Sequence, residues 1–303
     1  MGSTQKNRRW RGWRGWRSGQ AATGYALVLP SMLLFGVFFI YPVLHTFYLS
    51  FFRWDLLNEP VFDGLGRYKK LFADDVFGQV LLNTLLYSSA SVLVTMLLGL
   101  CLAVLLNRPG RVYTILQGSI FTSYIVSWVG VSLLWVWLLD PQYGLINLGL
   151  SWIGISSVNW LGDPDYALWT LVGVTVWKTI GYDMIIFLAG LQSIPEDLYE
   201  AGSIDGAGPW QRFVYITLPQ LKPTILFLLV TSMIMTFQGF DVVKVMTQGG
   251  PINSTSIYVY YVYEHAFELF NIGFASAAVM VFFLIVLLVV LAQFWLFERG
   301  EKG

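Results

Sequence analysis

The sequence predicts an all-α polytopic membrane protein with six transmembrane helices. Of its 303 residues, 56% are hydrophobic and 12% are charged, about half the charged share of a typical soluble domain. Six apolar runs recur along the chain, each of about 17 residues or more, which is enough to cross a hydrocarbon core. Polar segments with proline, glycine or charged residues separate the runs, as expected of loops between spans.

Residues 1–22 are basic and are interleaved with tryptophan, with the densest part between Arg8 and Arg17. Arginine favours anionic lipid headgroups, and tryptophan favours the membrane interface. Because a span follows at once, we expect this tail to contact membrane lipids and not nucleic acid. Residues 23–303 are then expected to form one six-span domain.

The first span, near Gly24–Phe52, is longer than the hydrocarbon core, so it should tilt or bend, with Pro30 and Pro42 as the natural bending points. Residues 241–271, before the last span, are predicted to be a loop. The remaining spans are expected near Val80–Leu106, Ile115–Leu139, Ala167–Gly190, Thr224–Phe240 and Ile272–Phe297.

The distribution of lysine and arginine predicts the orientation of the chain. With the N-terminus inside, the cytoplasmic segments hold twelve of these residues and the outer segments hold five. Short cytoplasmic loops are enriched in positive residues. We therefore expect both termini, and the polar segment 191–222 between spans four and five, to lie in the cytoplasm.

Segment 191–222 is predicted to begin with a capped helix. Ser193 could cap it, with Pro195 in the first turn and Glu196 closing a capping box. The segment is far longer than the two to eight residues that commonly join helices. Its shape suits insertion into a cleft of a partner.

A second short helix should follow in the same segment. Asp205-Gly206 is expected to end the first helix, and Pro209 should open the second. Pro219 and Pro223 are expected to end the second helix, because proline interrupts helical hydrogen bonding.

The segment also carries a recognisable spacing of residues. Glu200-Ala201-Gly202 is followed after three residues by Gly206, and then, after nine more, by Ile216 and Leu218-Pro219. This pattern resembles the EAA loop of permease subunits of binding-protein-dependent ABC importers. The one departure is Gly202 in place of a second alanine, which weakens a helix by about 1 kcal/mol.

The resemblance implies a type I importer permease fold with a coupling helix that docks on a cytoplasmic ATPase. It implies four kinds of partner: a second homologous permease, a dimer of ATP-binding subunits, an extracytoplasmic solute-binding protein and the transported solute. It further implies a location in the inner membrane. The residues that it assigns to ATPase coupling are Glu200, Ala201, Gly202, Asp205, Gly206 and Ala207.

Other segments point to one branch of that family. They resemble the maltose-type sugar permeases, which implies a sugar or oligosaccharide as substrate. These segments are Phe62–Leu65, Asn83-Thr84, Asp140–Asn147, Met246–Pro251, Ala266-Phe267 and Gly273–Ala277.

Motifs for nucleotide chemistry are absent from the sequence. No Gly-Lys dipeptide occurs, so there is no Walker A loop to hold phosphates. We therefore expect a chain that is not an enzyme and holds no cofactor, with ATP and Mg bound by the partner ATPase. No metal site is expected, because neither histidine has a neighbour at ligand spacing.

Polar and aromatic side chains inside the spans are candidates for lining a substrate path. A sugar ring has apolar faces and hydroxyl groups, so aromatic rings and hydrogen-bonding side chains suit it. The alternative is packing between helices, where serine and threonine are common. The candidates are Tyr124, Trp128, Lys178, Thr179, Tyr182, Ser232, Thr236 and Gln238.

Lys178 lies near the middle of the predicted fourth span, where a charge costs about 2.5–3.5 kcal/mol. It should face the bundle interior, a cavity or a partner. Pairing with Asp183 or Asp241 is the interpretation that we favour, and lining of the path is the other.

Two alternative functions stay open from the sequence. An importer for glycerol-3-phosphate or a related phosphodiester would need a positive group in its path, and Lys178 could supply it. A secondary transporter acting alone would leave the EAA-like loop without a function.

Overall fold

The computed structural model describes the backbone of residues 11–301 and the side chains of residues 23–295. The lipid contact predicted for residues 1–22 lies outside the described side chains. Within the described range the chain is helical, apart from turns and one antiparallel hairpin of β1 (Phe52–Arg53) and β2 (Val61–Phe62). This confirms the predicted all-α class.

Fifteen α-helices occupy the described backbone, interrupted by three short π-helical turns. In chain order they are α1 (Arg11–Phe35), α2 (Tyr41–Leu49), α3 (Gly66–Phe72), α4 (Asp75–Leu106), α5 (Arg111–Ile125), α6 (Trp128–Leu138), α7 (Leu145–Trp152), α8 (Pro164–Gln192), α9 (Glu196–Ile204), α10 (Pro209–Arg212), α11 (Leu218–Gln220), α12 (Lys222–Phe237), α13 (Phe240–Met246), α14 (Tyr258–Tyr263) and α15 (Ile272–Glu301).

Five stretches of the described chain are long and apolar enough to cross a membrane, and one bent helix pair completes a set of six. The five are Thr23–Leu49, Asp75–Leu106, Pro164–Gln192, Lys222–Met246 and Ile272–Trp295. Five of the six predicted spans are therefore present as apolar helices, and the bent pair lies where the third span was predicted. The fifth span continues through α13 into residues that the sequence predicted as loop, and α14 also lies in that region.

The third span is not the single helix that the sequence predicted. α5 and α6 meet at an angle of 98°. Val126 and Ser127 between them are extended, with ψ angles of 143° and 139°. The break leaves the C-terminal carbonyls of α5 without helical partners, and such groups need satisfaction inside a bilayer.

Two π-helical turns precede prolines in this chain. Gly36–Ile40 comes before Pro42, and Phe213–Thr217 comes before Pro219. A proline has no N–H and its ring crowds the carbonyl four residues earlier, so a wider turn accommodates it within a helix. The prediction that Pro219 and Pro223 end the second short helix is wrong, because the chain stays helical from Pro209 into α12 except for a turn at Leu221.

α8 forms the centre of the bundle. Its apolar stretch is 61% buried, whereas residues 23–48 of the first span include no buried residue. α4 and α5 pack against α8 through glycines that permit close approach. A Cβ on Gly99 would lie 2.9 Å from Cβ of Asp183, and one on Gly181 would lie 2.6 Å from the carbonyl oxygen of Ile120.

Two residues of the segments that suggested a sugar permease, Asn83 on α4 and Asn147 on α7, form hydrogen bonds to neighbouring loops. The Asn83 amide donates to the carbonyls of Asn253 and Ser256 at 2.8 and 3.2 Å. Asn147 Oδ1 accepts from the backbone N–H of Val158 and from Trp160 Nε1. These bonds fix the loops at one end of the bundle.

Candidate functional site

Lys178 caps the broken end of α5. Its ammonium donates to the carbonyl oxygens of Ser123, Tyr124 and Val126 at 3.2, 2.9 and 2.6 Å. An ammonium has three donors, so these three carbonyls use all of them. The contact joins the centre of α8 to the break in the third span.

The ion pair predicted for Lys178 with Asp183 or Asp241 is wrong. The ion pairs of the described side chains are Arg67–Asp63 and Lys244–Glu268. Lys178 is only 2% exposed, and its Nζ lies 4.9 Å from the ring centre of Trp128. Main-chain carbonyls and an aromatic face therefore take the place of a carboxylate.

A small cavity lies beside this cap, between α4, α5, α8 and α12. Its volume of about 20 Å³ has room for roughly one water molecule. The lining residues are Ser91, Val92, Thr95, Tyr124, Thr179, Tyr182, Asp183, Ser232, Met235 and Thr236.

Five of the eight substrate-path candidates line this cavity, namely Tyr124, Thr179, Tyr182, Ser232 and Thr236. The other three do not. Trp128 and Lys178 lie at the break of the third span, and Gln238 is exposed at the end of α12.

Sequence reasoning missed half of the cavity lining. Ser91 and Thr95 are four residues apart, which places them on one face of α4, and that spacing could have identified them. Asp183 was considered only as a partner for Lys178. Its position in the cavity follows from the packing of α8 against α4 and α12, which the sequence alone does not give.

Two buried polar atoms in the cavity wall have no hydrogen-bond partner among the described residues. They are Asp183 Oδ2 and Ser91 Oγ, and each residue is 1% exposed. The other carboxylate oxygen, Asp183 Oδ1, accepts a long bond of 3.4 Å from the Ser232 hydroxyl. Because buried polar groups are nearly always paired, we expect these two atoms to form hydrogen bonds with a ligand or with water.

An aromatic pair forms another part of the wall. The rings of Tyr124 and Tyr182 stack with centroids 4.9 Å apart and planes inclined by 22°. Such a face suits the apolar side of a ring-shaped solute. The cavity thus combines an aromatic surface with hydroxyls and a carboxylate.

The segment 191–222 begins differently from the predicted capping box. Pro195 is the N-cap of α9 and makes no side-chain cap bond. The Ser193 hydroxyl instead donates to the carbonyl of Gly190 at 2.7 Å, at the end of α8. The predicted box is wrong because Ser193 completes the preceding helix.

The predicted end of α9 at Asp205-Gly206 is confirmed. Gly206 has φ +79°. Ala207 N–H donates to Gly202 O at 2.9 Å, and Gly206 N–H donates to Ser203 O at 3.1 Å. This is a Schellman motif, in which a left-handed glycine stops the helix and satisfies its last carbonyls.

Side-chain bonds join α9 to the helix that follows. The hydroxyls of Tyr199 and Thr217 lie 2.9 Å apart, and Arg212 Nη1 donates to Ser203 Oγ at 2.9 Å. A Cβ on Gly202 would lie 2.9 Å from Cδ1 of Ile216. α9 and the helical turns after Pro209 therefore form one packed unit, which we call the coupling loop.

The coupling loop exposes both acidic and large apolar side chains. Of the predicted coupling residues, Glu200, Ala201, Asp205 and Gly206 are exposed, and Gly202 and Ala207 are half-buried. Ile204 is 88% exposed and Trp210 is 74% exposed. Large exposed apolar groups beside charges are typical of an interaction surface.

No group of three or more His, Cys, Asp or Glu residues in the described chain could hold a metal ion.

The chain is similar to proteins of one transport family. The sequence profile described as "Binding-protein-dependent transport system inner membrane component" matches residues 95–300. The "Lactose transport system permease protein LacF" of Rhizobium radiobacter is 38% identical over 92% of this chain and 94% of its own length. The "Trehalose/maltose transport system permease protein MalF" of Thermococcus litoralis is 35% identical, covering 88% of this chain and 91% of that protein.

Among solved structures, one similar chain comes from a bacterial ABC transporter involved in the import of the acidic polysaccharide alginate. It is 27% identical, with a TM-score of 0.83, and the match covers 94% of this chain and 99% of that chain. The same alginate transporter has also been solved in complex with an alginate pentasaccharide-bound periplasmic protein.

Proposed function

Because the chain belongs to the family of inner membrane components of binding-protein-dependent transport systems, we propose that it is a permease subunit of an ABC importer for a sugar or oligosaccharide. The relatives named for lactose and for trehalose/maltose support this substrate class. The observation that carries the proposal is that one helix, α8, connects the cavity with the coupling loop. Thr179 and Asp183 of α8 line the cavity, and three residues separate the end of α8 from the start of α9.

A second, homologous permease completes the path. The cavity of about 20 Å³ is far smaller than the few hundred Å³ of a typical ligand pocket. One chain in this conformation therefore cannot enclose a sugar. The lack of buried residues over 23–48 leaves the first span free to contact the second permease or lipid.

Energy comes from a pair of ATPase subunits, which bind ATP and Mg, and this chain carries out no nucleotide chemistry. The exposed acidic residues of the coupling loop face basic groups in an ATPase cleft, and Ile204 and Trp210 supply apolar contact. Because hydrogen bonds tie α9 to the next helix, the loop moves as a unit. α8 carries that movement to the cavity, which opens alternately to each side.

An external solute-binding protein delivers the sugar on the opposite side of the membrane. Its counterpart in the alginate transporter is a periplasmic protein. In this arrangement the coupling loop and both termini of the chain lie in the cytoplasm.

Charge reversal at Glu200 tests the docking role. We expect Glu200→Arg, expressed with the other transporter subunits, to reduce both the ATPase that co-purifies and the uptake of substrate at least tenfold, because it places a cation against a basic cleft. Glu59→Arg is a matched control, since Glu59 is also exposed but lies between β1 and β2. Normal co-purification and coupled uptake in Glu200→Arg would show that this residue does not dock the ATPase.

A further inference from the structure

The charge that faces the cavity is negative. Among the described lining residues, Asp183 alone carries a formal charge. Lys178 lies five positions earlier on the same helix, but its three donors are directed to carbonyls at the end of α5. The positive group that a phosphate-bearing substrate would need is therefore already occupied.

The cavity wall is also rich in hydrogen-bond acceptors. The Thr179 hydroxyl donates to Thr175 O at 2.8 Å, and the Thr236 hydroxyl donates to Ser232 O at 2.6 Å. Ser232 directs its own hydroxyl to Asp183 Oδ1. A hydroxyl has a single proton and two lone pairs, so these three oxygens can still accept from a ligand, with the Thr95 hydroxyl already 3.4 Å from the Thr179 oxygen.

We propose that Asp183 determines specificity, selecting solutes that donate hydroxyl hydrogens to Oδ2 and carry no negative charge on the ring that enters this cavity. The inference rests on the proposed function and narrows its substrate class to uncharged sugars. A carboxylate or sulfonate on that ring has no proton to donate to Asp183 Oδ2 and would be repelled by the Asp183 carboxylate. The stacked faces of Tyr124 and Tyr182 provide the apolar surface for the same ring.

The selectivity is tested on the assembled transporter without its solute-binding protein, because that protein has a selectivity of its own. The complex of this chain, the second permease and the ATPases is placed in nanodiscs. Binding is measured by saturation-transfer NMR with two neutral probes, maltotetraose and cellotetraose, and two acidic probes, tetragalacturonate and an alginate tetrasaccharide. We expect the unaltered transporter to bind a neutral probe at least tenfold more tightly than either acidic probe.

Asp183→Asn removes the charge and keeps the shape of the side chain. We expect it to weaken neutral binding and to reduce the neutral-to-acidic ratio at least tenfold. Ser91→Ala removes the other unpaired oxygen, so it should weaken neutral binding several-fold and leave the ratio unchanged. Asp165→Asn lies at the exposed start of the same helix and should match the unaltered transporter in both respects.

Equal binding of acidic and neutral probes, an unchanged ratio in Asp183→Asn, or binding of no neutral probe would overturn the inference. Co-purification of the ATPases separates this failure from failure of the proposed function. If the ATPases bind and Glu200→Arg releases them, only the assignment of Asp183 is wrong. If the ATPases do not bind at all, the proposed function is wrong as well.

Discussion

At the scale of single residues, Lys178 explains how a charge can lie in the middle of a span. A helix that breaks inside a bilayer exposes carbonyls with no water to bind them. The Lys178 ammonium binds three of these carbonyls, so the cost of the break and the cost of the buried cation offset one another. Each feature alone would leave buried polar groups without hydrogen-bond partners.

Removal of that ammonium should destabilise the third span. We expect Lys178→Met to lower the stability of the purified protein by roughly 1–3 kcal/mol, the cost of leaving buried acceptors unsatisfied. Lys70→Met, at an exposed position on α3, serves as the control. Unfolding in mixed detergent micelles measures both, and equal stability of the two variants would contradict the role of Lys178 as a cap.

At the scale of elements, two glycines of the coupling loop differ in whether their positions require glycine. Gly206 adopts φ +79°, which costs other L-residues about 1–2 kcal/mol. Gly202 is helical, and the far end of the Ile216 side chain is the one group that a Cβ there would crowd, at 2.9 Å. One glycine is needed for its backbone conformation, and the other is only tolerated.

Alanine substitution should therefore separate the two glycines. Gly206→Ala is expected to weaken the end of α9 by about 1–2 kcal/mol, while Gly202→Ala should gain up to about 1 kcal/mol of helix propensity, less the cost of moving Ile216. Hydrogen exchange of α9 amides measures both changes. Faster exchange in Gly202→Ala than in Gly206→Ala would disagree with the loop geometry.

The helices also show which features of the fold can be predicted from the sequence and which cannot. Composition and spacing predicted six spans and the position of the coupling loop, because these depend on local apolar runs and on residues close in sequence. The break at Val126-Ser127 has no proline or glycine to signal it, since it is stabilised by a lysine from another helix. Pro219 was predicted to end a helix, but a π turn accommodates it instead.

At the scale of the whole molecule, one long helix connects the cavity with the coupling loop. α8 extends over 29 residues, or about 43 Å at 1.5 Å per residue. Thr179 and Asp183 lie near its middle, and α9 follows its C-terminus. A movement of the coupling loop can therefore be transmitted through α8 to the cavity.

The orientation of this assembly can be measured directly. In a Cys101→Ala background, which has no other cysteine, we expect Asp205→Cys to react with an impermeant maleimide only from the cytoplasmic side, following the excess of positive residues there. Glu59→Cys should react only from outside. Labelling of Asp205→Cys in intact spheroplasts would reverse the proposed topology.

The small volume of the cavity has a consequence for the idle transporter. A space that holds about one water molecule cannot hold a file of water, and protons need such a file to pass through a bundle. In this closed conformation the packing around the cavity therefore opposes proton leakage along this side of α8. A cell that carries many copies of this subunit would benefit from that resistance while the importer waits for substrate.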